Sequence, residues 1–78
     1  MHELSMVQDL LAAALKAAGG KPIKVVRIKV GEHCHAAPDN VEFLFKTAAH
    51  DSPAANAKVE VTIVPGEDLL LDSIQVVS

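Results

Sequence analysis

Val26-Arg27-Ile28-Lys29-Val30-Gly31 alternates apolar and charged side chains and stops at a glycine. Successive side chains of a β-strand point to opposite faces, so Val26, Ile28 and Val30 share one face and Arg27 and Lys29 the other. This spacing predicts a strand over residues 23–30, buried on one side and wet on the other. It sits between two stretches with helical spacing. Before it, Leu4, Val7, Leu11, Ala14, Leu15 and Ala18 recur every three or four residues, which predicts a helix over 4–18 that Gly19-Gly20 ends. After it, Val41, Phe45 and Ala48 or Ala49, with Leu44 beside them, predict a second helix over about 39–50. Asp39 is placed to cap that helix, Glu42 completes a capping-box spacing, and Asp51-Ser52-Pro53 ends it.

Alternation returns at residues 57–64, where Val59, Val61 and Ile63 oppose Glu60 and Thr62. Pro65-Gly66-Glu67-Asp68 is a turn signal. In the last segment, 69–77, Leu69 and Leu71 keep one phase and Ile74 and Val76 the other. A phase change at Asp72-Ser73 predicts a β-bulge that returns all four to one face. The expected fold is α+β, in the order α-β-α-β-β, with two helices packed on one face of a three-stranded mixed β-sheet. The last two strands are expected to pair as an antiparallel hairpin. The first two are then either parallel neighbours or separated by the third. Residues 1–78 form one domain, with no repeat and no linker.

Composition narrows the function. The chain has 78 residues, is half hydrophobic and carries a formal charge of −3, so it is expected to fold as one small globular unit. Seven Lys and Arg, scattered, make no phosphate track, and two Phe without Trp or Tyr make no base-stacking platform, which argues against nucleic acid as a partner. No apolar run approaches the roughly 18 residues of a membrane span, and no secretory signal is visible. A cytoplasmic protein without a membrane partner is expected. The single cysteine, Cys34, excludes an internal disulfide and a zinc site of paired cysteines. So small a domain has little room for a deep substrate cleft, and no oxyanion-stabilising glycine loop accompanies Cys34, so enzymatic activity is not expected.

Two clusters carry metal chemistry. At Met1-His2-Glu3, a free amino group, the amide nitrogen of His2 and the His2 imidazole can close adjacent chelate rings on one ion. Three nitrogens in a plane suit Ni(II) or Cu(II) better than tetrahedral Zn(II), and Glu3 can add a carboxylate oxygen. The positive end of the following helix opposes a cation but favours the neutral, ligating form of His2, so modest affinity is expected. The second cluster is His33-Cys34-His35. In an extended segment His33 and His35 project to one side and Cys34 to the other, so the three cannot easily hold one tetrahedral ion unaided. Two of them together with His2 could. His50, at the end of the second helix, reads as a cap for its carbonyls, and Glu67 and Asp68 as solvated turn residues.

The opening Met1-His2-Glu3-Leu4-Ser5, followed by an aliphatic helix, resembles the HypA/HybF family of hydrogenase nickel-incorporation proteins. So do Val26-Arg27-Ile28-Lys29-Val30-Gly31-Glu32, Val41-Glu42-Phe43-Leu44-Phe45, Ala57-Lys58-Val59-Glu60-Val61 and the segment from Asp68-Leu69 to Val76, in order along almost the whole chain. The resemblance implies a nickel metallochaperone whose nickel site centres on Met1, His2 and Glu3, with His2 indispensable. It implies a maturation GTPase and a nickel-enzyme large subunit as partners, and often a homodimer. One departure is large. The family inserts a zinc domain with two Cys-x-x-Cys pairs between its last two strands, where this chain has only Pro65-Gly66-Glu67-Asp68, so no structural zinc is expected.

The resulting expectation is a minimal HypA-like domain that holds Ni(II) weakly at Met1, His2 and Glu3, with His33, Cys34 and His35 as further candidate ligands. It would deliver the ion to a maturation partner. The alternatives are a HypA-like protein-interaction module with incidental metal binding, or Zn or Cu binding through His33-Cys34-His35. An open three-stranded sheet can also dimerise by edge pairing or by swapping its first helix.

Overall fold

A computed structural model describes residues 2–77, with His2 described in its backbone only. The elements are α1 (His2–Ala18), β1 (Ile23–Gly31), α2 (Pro38–Ala48), β2 (Lys58–Val64) and β3 (Leu69–Val76). Two helices pack on one face of a three-stranded mixed sheet, α1 over β3 and α2 over β2. The α+β class and the element order are those the sequence predicts.

The sheet order is β2-β1-β3. β1 is central, parallel to β2 and antiparallel to β3. The expected hairpin between the last two strands is therefore corrected: β2 and β3 never pair, and residues 65–68 carry the chain across the end of β1. The crossing is tight. Gly31 donates its amide to Asp68 O at 2.7 Å, Glu32 to Val64 O at 2.8 Å and His33 to Gly66 O at 2.9 Å. A Cβ on Gly31 would lie 2.5 Å from the carbonyl oxygen of Gly66, so the strand must end in glycine here.

The core lies between helices and sheet. Val26, Ile28 and Val30 are buried on the helix side of β1, with Val59 beside them on β2. Against β3 the register runs Arg27↔Ser73 and then Ile28↔Leu71, which leaves Asp72 as the extra residue of a bulge. Directly opposed residues share a face, so Leu69, Leu71, Ile74 and Val76 all reach the core, as the phase change predicts. Asp72 meets Lys29 at 3.4 Å. The other face carries the Arg27–Glu60 pair at 3.1 Å.

The helices differ from expectation in detail. α1 buries Val7, Leu10, Ala14 and Ala18, with Leu11 and Leu15 flanking them, while Leu4 is 46% exposed. Its apolar residues cover most of its circumference, so the buried stripe depends on where β3 and α2 lie. α2 is capped by Ala37 with no side-chain hydrogen bond, and Pro38 occupies the first turn. Proline's fixed φ suits that position, and it moves the cap from Asp39 to Ala37. Val41, Phe45 and Ala49 are fully buried, as the spacing predicts. α2 ends at Ala48, whereas the spacing carried it to 50. His50 lies beyond it, 85% exposed, with its ring 3.8 Å from Asp51 instead of capping carbonyls.

Candidate metal centre

The first turns of the two helices meet at one end of the molecule. Asn40, in the first turn of α2, donates through Nδ2 to Glu3 Oε2 at 2.5 Å. Its position follows from Pro38, which starts the helix, and from the Ala37 carbonyl, which accepts the Val41 amide at 3.0 Å. The hydrogen bond fixes one carboxylate oxygen of Glu3 and leaves the other free to accept a donor or a cation. Both helix ends present partial positive charge here, which stabilises the carboxylate.

Of the residues predicted to bind metal at the start of the chain, Glu3 is the one whose side chain is described. Met1 and the His2 side chain lie outside the described residues. The backbone of His2 opens α1, one residue before Glu3. Asn40 was missed by sequence reasoning. It stands 37 positions from Glu3, and no local pattern joins them.

The His33-Cys34-His35 segment enters α2 at the same end. It is not extended: Cys34 donates its amide to Gly31 O at 3.0 Å, closing a turn, and His35 adopts the left-handed region at φ 64°. Histidine is among the residues that tolerate that region. The turn packs Cys34, half-buried, against the core and leaves His33 and His35 in solvent. The His33 ring lies 3.5 Å from Glu32. The split expected of the three side chains, Cys34 to one side and both histidines to the other, is kept, but without an extended backbone, because Val64 O holds the amide of Glu32 and Gly66 O that of His33 and the chain bends over the end of β1.

Among the described residues, no three His, Cys, Asp or Glu side chains gather to hold a metal ion. The described donors at this end include the carboxylates of Glu3, Glu32 and Asp39 and the two exposed imidazoles of His33 and His35. An open recess beside Phe43, Lys46, Thr47 and His50 lies on the outer side of α2 and shares no side chain with this end. No helix among the described residues is long and apolar enough to cross a membrane.

A family model described as hydrogenase/urease nickel incorporation, metallochaperone, hypA matches residues 1–69. A hydrogenase maturation factor HypA of Geobacter metallireducens is 32% identical over 66 residues, covering 85% of this chain and 60% of that protein. One from Rhizobium leguminosarum bv. viciae is 31% identical over 75 residues, covering 92% of this chain and 66% of its own length. The chain thus spans about three fifths to two thirds of these relatives. Among solved structures, the solution structure of the Ni metallochaperone HypA from Helicobacter pylori superposes with a TM-score of 0.70. It is 17% identical and covers 91% of this chain and 70% of that one, a likeness of fold.

Proposed function

Because the chain belongs to the HypA family of hydrogenase and urease nickel-incorporation metallochaperones, we propose that it binds Ni(II) and delivers it to a maturation partner. The observation that carries this reading is the family match, which runs from Met1 through the whole chelating start to residue 69. The Met1 amine, the His2 amide and the His2 imidazole supply three nitrogens in two fused chelate rings. That donor set favours Ni(II) or Cu(II) over Zn(II). Glu3, held by Asn40, offers a carboxylate oxygen. His33 or His35 completes the set from the adjoining loop. Nickel is cargo here, and no chemical conversion is involved.

In this reading the ion is held weakly, as transfer requires. A maturation GTPase and the large subunit of a nickel enzyme are the partners, in the cytoplasm. Pro65-Gly66-Glu67-Asp68 stands where the family carries its zinc domain, and with one cysteine the chain holds no such zinc. The domain is then a single nickel unit over residues 1–78.

The test is a titration of untagged protein with Ni(II) near neutral pH, followed by absorbance and calorimetry. His2→Ala and an N-terminally extended form are run beside it. One-to-one binding with a square-planar spectrum, lost in both variants, is expected. Equal binding by all three, or none by any, would replace this reading with a protein-interaction module. His33→Ala/His35→Ala is expected to weaken binding and change the spectrum; an unchanged spectrum would remove the loop from the site.

A further inference from the structure

We propose that the end of the molecule remote from the candidate metal centre docks an acidic protein segment, held by four lysines around a small apolar centre. The inference does not depend on nickel.

The fold sorts the charges into two ends. β1 and β2 run from one end of the sheet to the other, and β3 and both helices run back, so every connection lies at one end or the other. The start of α1, residues 31–37 and the crossing at 65–68 share the metal end. Residues 19–22, residues 49–57 and the finish of β3 share the opposite end. Glu3, Glu32, Asp39, Glu67 and Asp68 lie at the metal end, with no Lys or Arg among its connections. Lys16, in the last turn of α1, and Lys21, Lys24 and Lys58 lie at the other, where Asp51 is the one acidic side chain. Four of the seven Lys and Arg, scattered in sequence, thus meet at one end in space. α1 has 17 residues and separates the ends by about 25 Å. That exceeds the Debye length of roughly 8 Å in physiological salt, so a ligand at the basic end is screened from the carboxylates at the other.

Backbone hydrogen bonds tie the basic end together. Val77 donates its amide to Pro22 O at 2.9 Å, and Ile23 donates its amide to Pro53 O at 3.0 Å. Pro22, Pro53 and Val77 are thereby brought close to one another, and all three are exposed. The four lysines are exposed on the elements that meet there. Among the described residues, Lys58 alone of the four has an ion-pair partner, Glu60 at 3.6 Å. The other three ammonium groups keep their donors for a ligand.

An apolar centre with a charged rim is the anatomy of a protein interface. The rim here carries one sign, so its complement is carboxylate: an acidic segment whose apolar residue lies on Pro22, Pro53 and Val77. Nucleic acid would need a continuous basic track, which four lysines on separate elements do not make. An anionic membrane would need an apolar helix face to enter it, and this centre sits on turns and a strand end.

The test uses the full chain and a synthetic peptide of glutamates around one central leucine. Amide shifts on titration are expected within residues 18–24, 53–58 and 75–77. Affinity is expected to fall roughly tenfold as salt rises from about 0.05 to about 0.2 M. A glutamate-only peptide of equal charge is expected to bind about fivefold more weakly, and Val77→Ser to weaken the leucine peptide by a similar factor. Lys16→Gln/Lys21→Gln/Lys24→Gln/Lys58→Gln, with circular dichroism unchanged, is expected to lose binding, and Lys46→Gln to keep it. Absence of binding at low salt would overturn the proposal, as would shifts centred outside these residues or equal binding of the glutamate-only peptide. So would tighter binding to phosphatidylserine vesicles or to a single-stranded DNA oligonucleotide than to the leucine peptide.

Discussion

Asn40 binds Glu3 across 37 positions of sequence, and by doing so it joins the first turn of α2 to the first turn of α1. The contact holds a carboxylate at the point where the chain begins. Asn40→Ala is expected to free Glu3 and weaken Ni(II) binding by about fivefold, the effect of roughly 1 kcal/mol for an exposed hydrogen bond to a charged group. The fold should be unaffected, because the pair is exposed. Calorimetric titration beside a thermal melt separates the two effects. Unchanged affinity would mean that Glu3 needs no positioning.

Gly31 sits beneath the chain crossing of residues 65–68. An added Cβ would meet only backbone atoms there, Gly66 O at 2.5 Å and Asp68 N at 2.8 Å among them. The crossing would have to lift, breaking the Gly31–Asp68 and His33–Gly66 hydrogen bonds. Gly31→Ala is expected to cost about 3 kcal/mol and lower Tm by roughly 10–20 °C. Urea and thermal unfolding measure this directly.

Deleting Asp72 removes the bulge. Leu69 and Leu71 would then turn to the charged face while Ile74 and Val76 stayed in the core. Each misplaced leucine loses about 1.5–3 kcal/mol of burial, enough together to approach the whole stability of so small a domain. The expected result is loss of the cooperative melt. Asp72→Ala keeps the residue count and loses only the exposed Lys29 pair, so it should stay folded.

The two faces of α1 can be told apart by truncation. Leu10→Ala, at a buried site, is expected to cost about 2–4 kcal/mol, whereas Leu4→Ala, at a half-exposed one, should cost less than about 1 kcal/mol. Chemical denaturation of both variants checks the order. The reverse order would place the helix stripe where sequence periodicity put it.

That contrast marks the limit of periodicity. In α2 the apolar positions are few and charged residues surround them, so Val41 and Phe45 were legible as core. In α1 eleven of the seventeen residues are apolar, alanine included, and two stripes fit the same spacing. The buried Ala54 and Ala57, in the turns before β2, gave no signal, because isolated alanines have no period. At the metal end, Met1-His2-Glu3 and His33-Cys34-His35 were visible as donor-rich strings. The alternation of the second string also showed Cys34 parted from the two imidazoles, but the turn itself, with Cys34 bonded back to Gly31 and His35 left-handed, was not legible, because it follows from hydrogen bonds to Val64 and Gly66.

By itself the sequence determined the helices, the strands and the bulge at Asp72. Each follows from side-chain period, and a period of 2 or 3.6 is a property of the local backbone. It also displayed Met1-His2-Glu3 as a run of candidate ligands, which needs only three consecutive residues. The tertiary structure alone decided that β1 lies between β2 and β3, because Pro65-Gly66-Glu67-Asp68 reports that the chain turns and not which strand it passes. It alone placed Asn40 beside Glu3 and Gly66 above Gly31. Those contacts join residues far apart in sequence, and their positions follow from how whole elements pack, which no local pattern encodes.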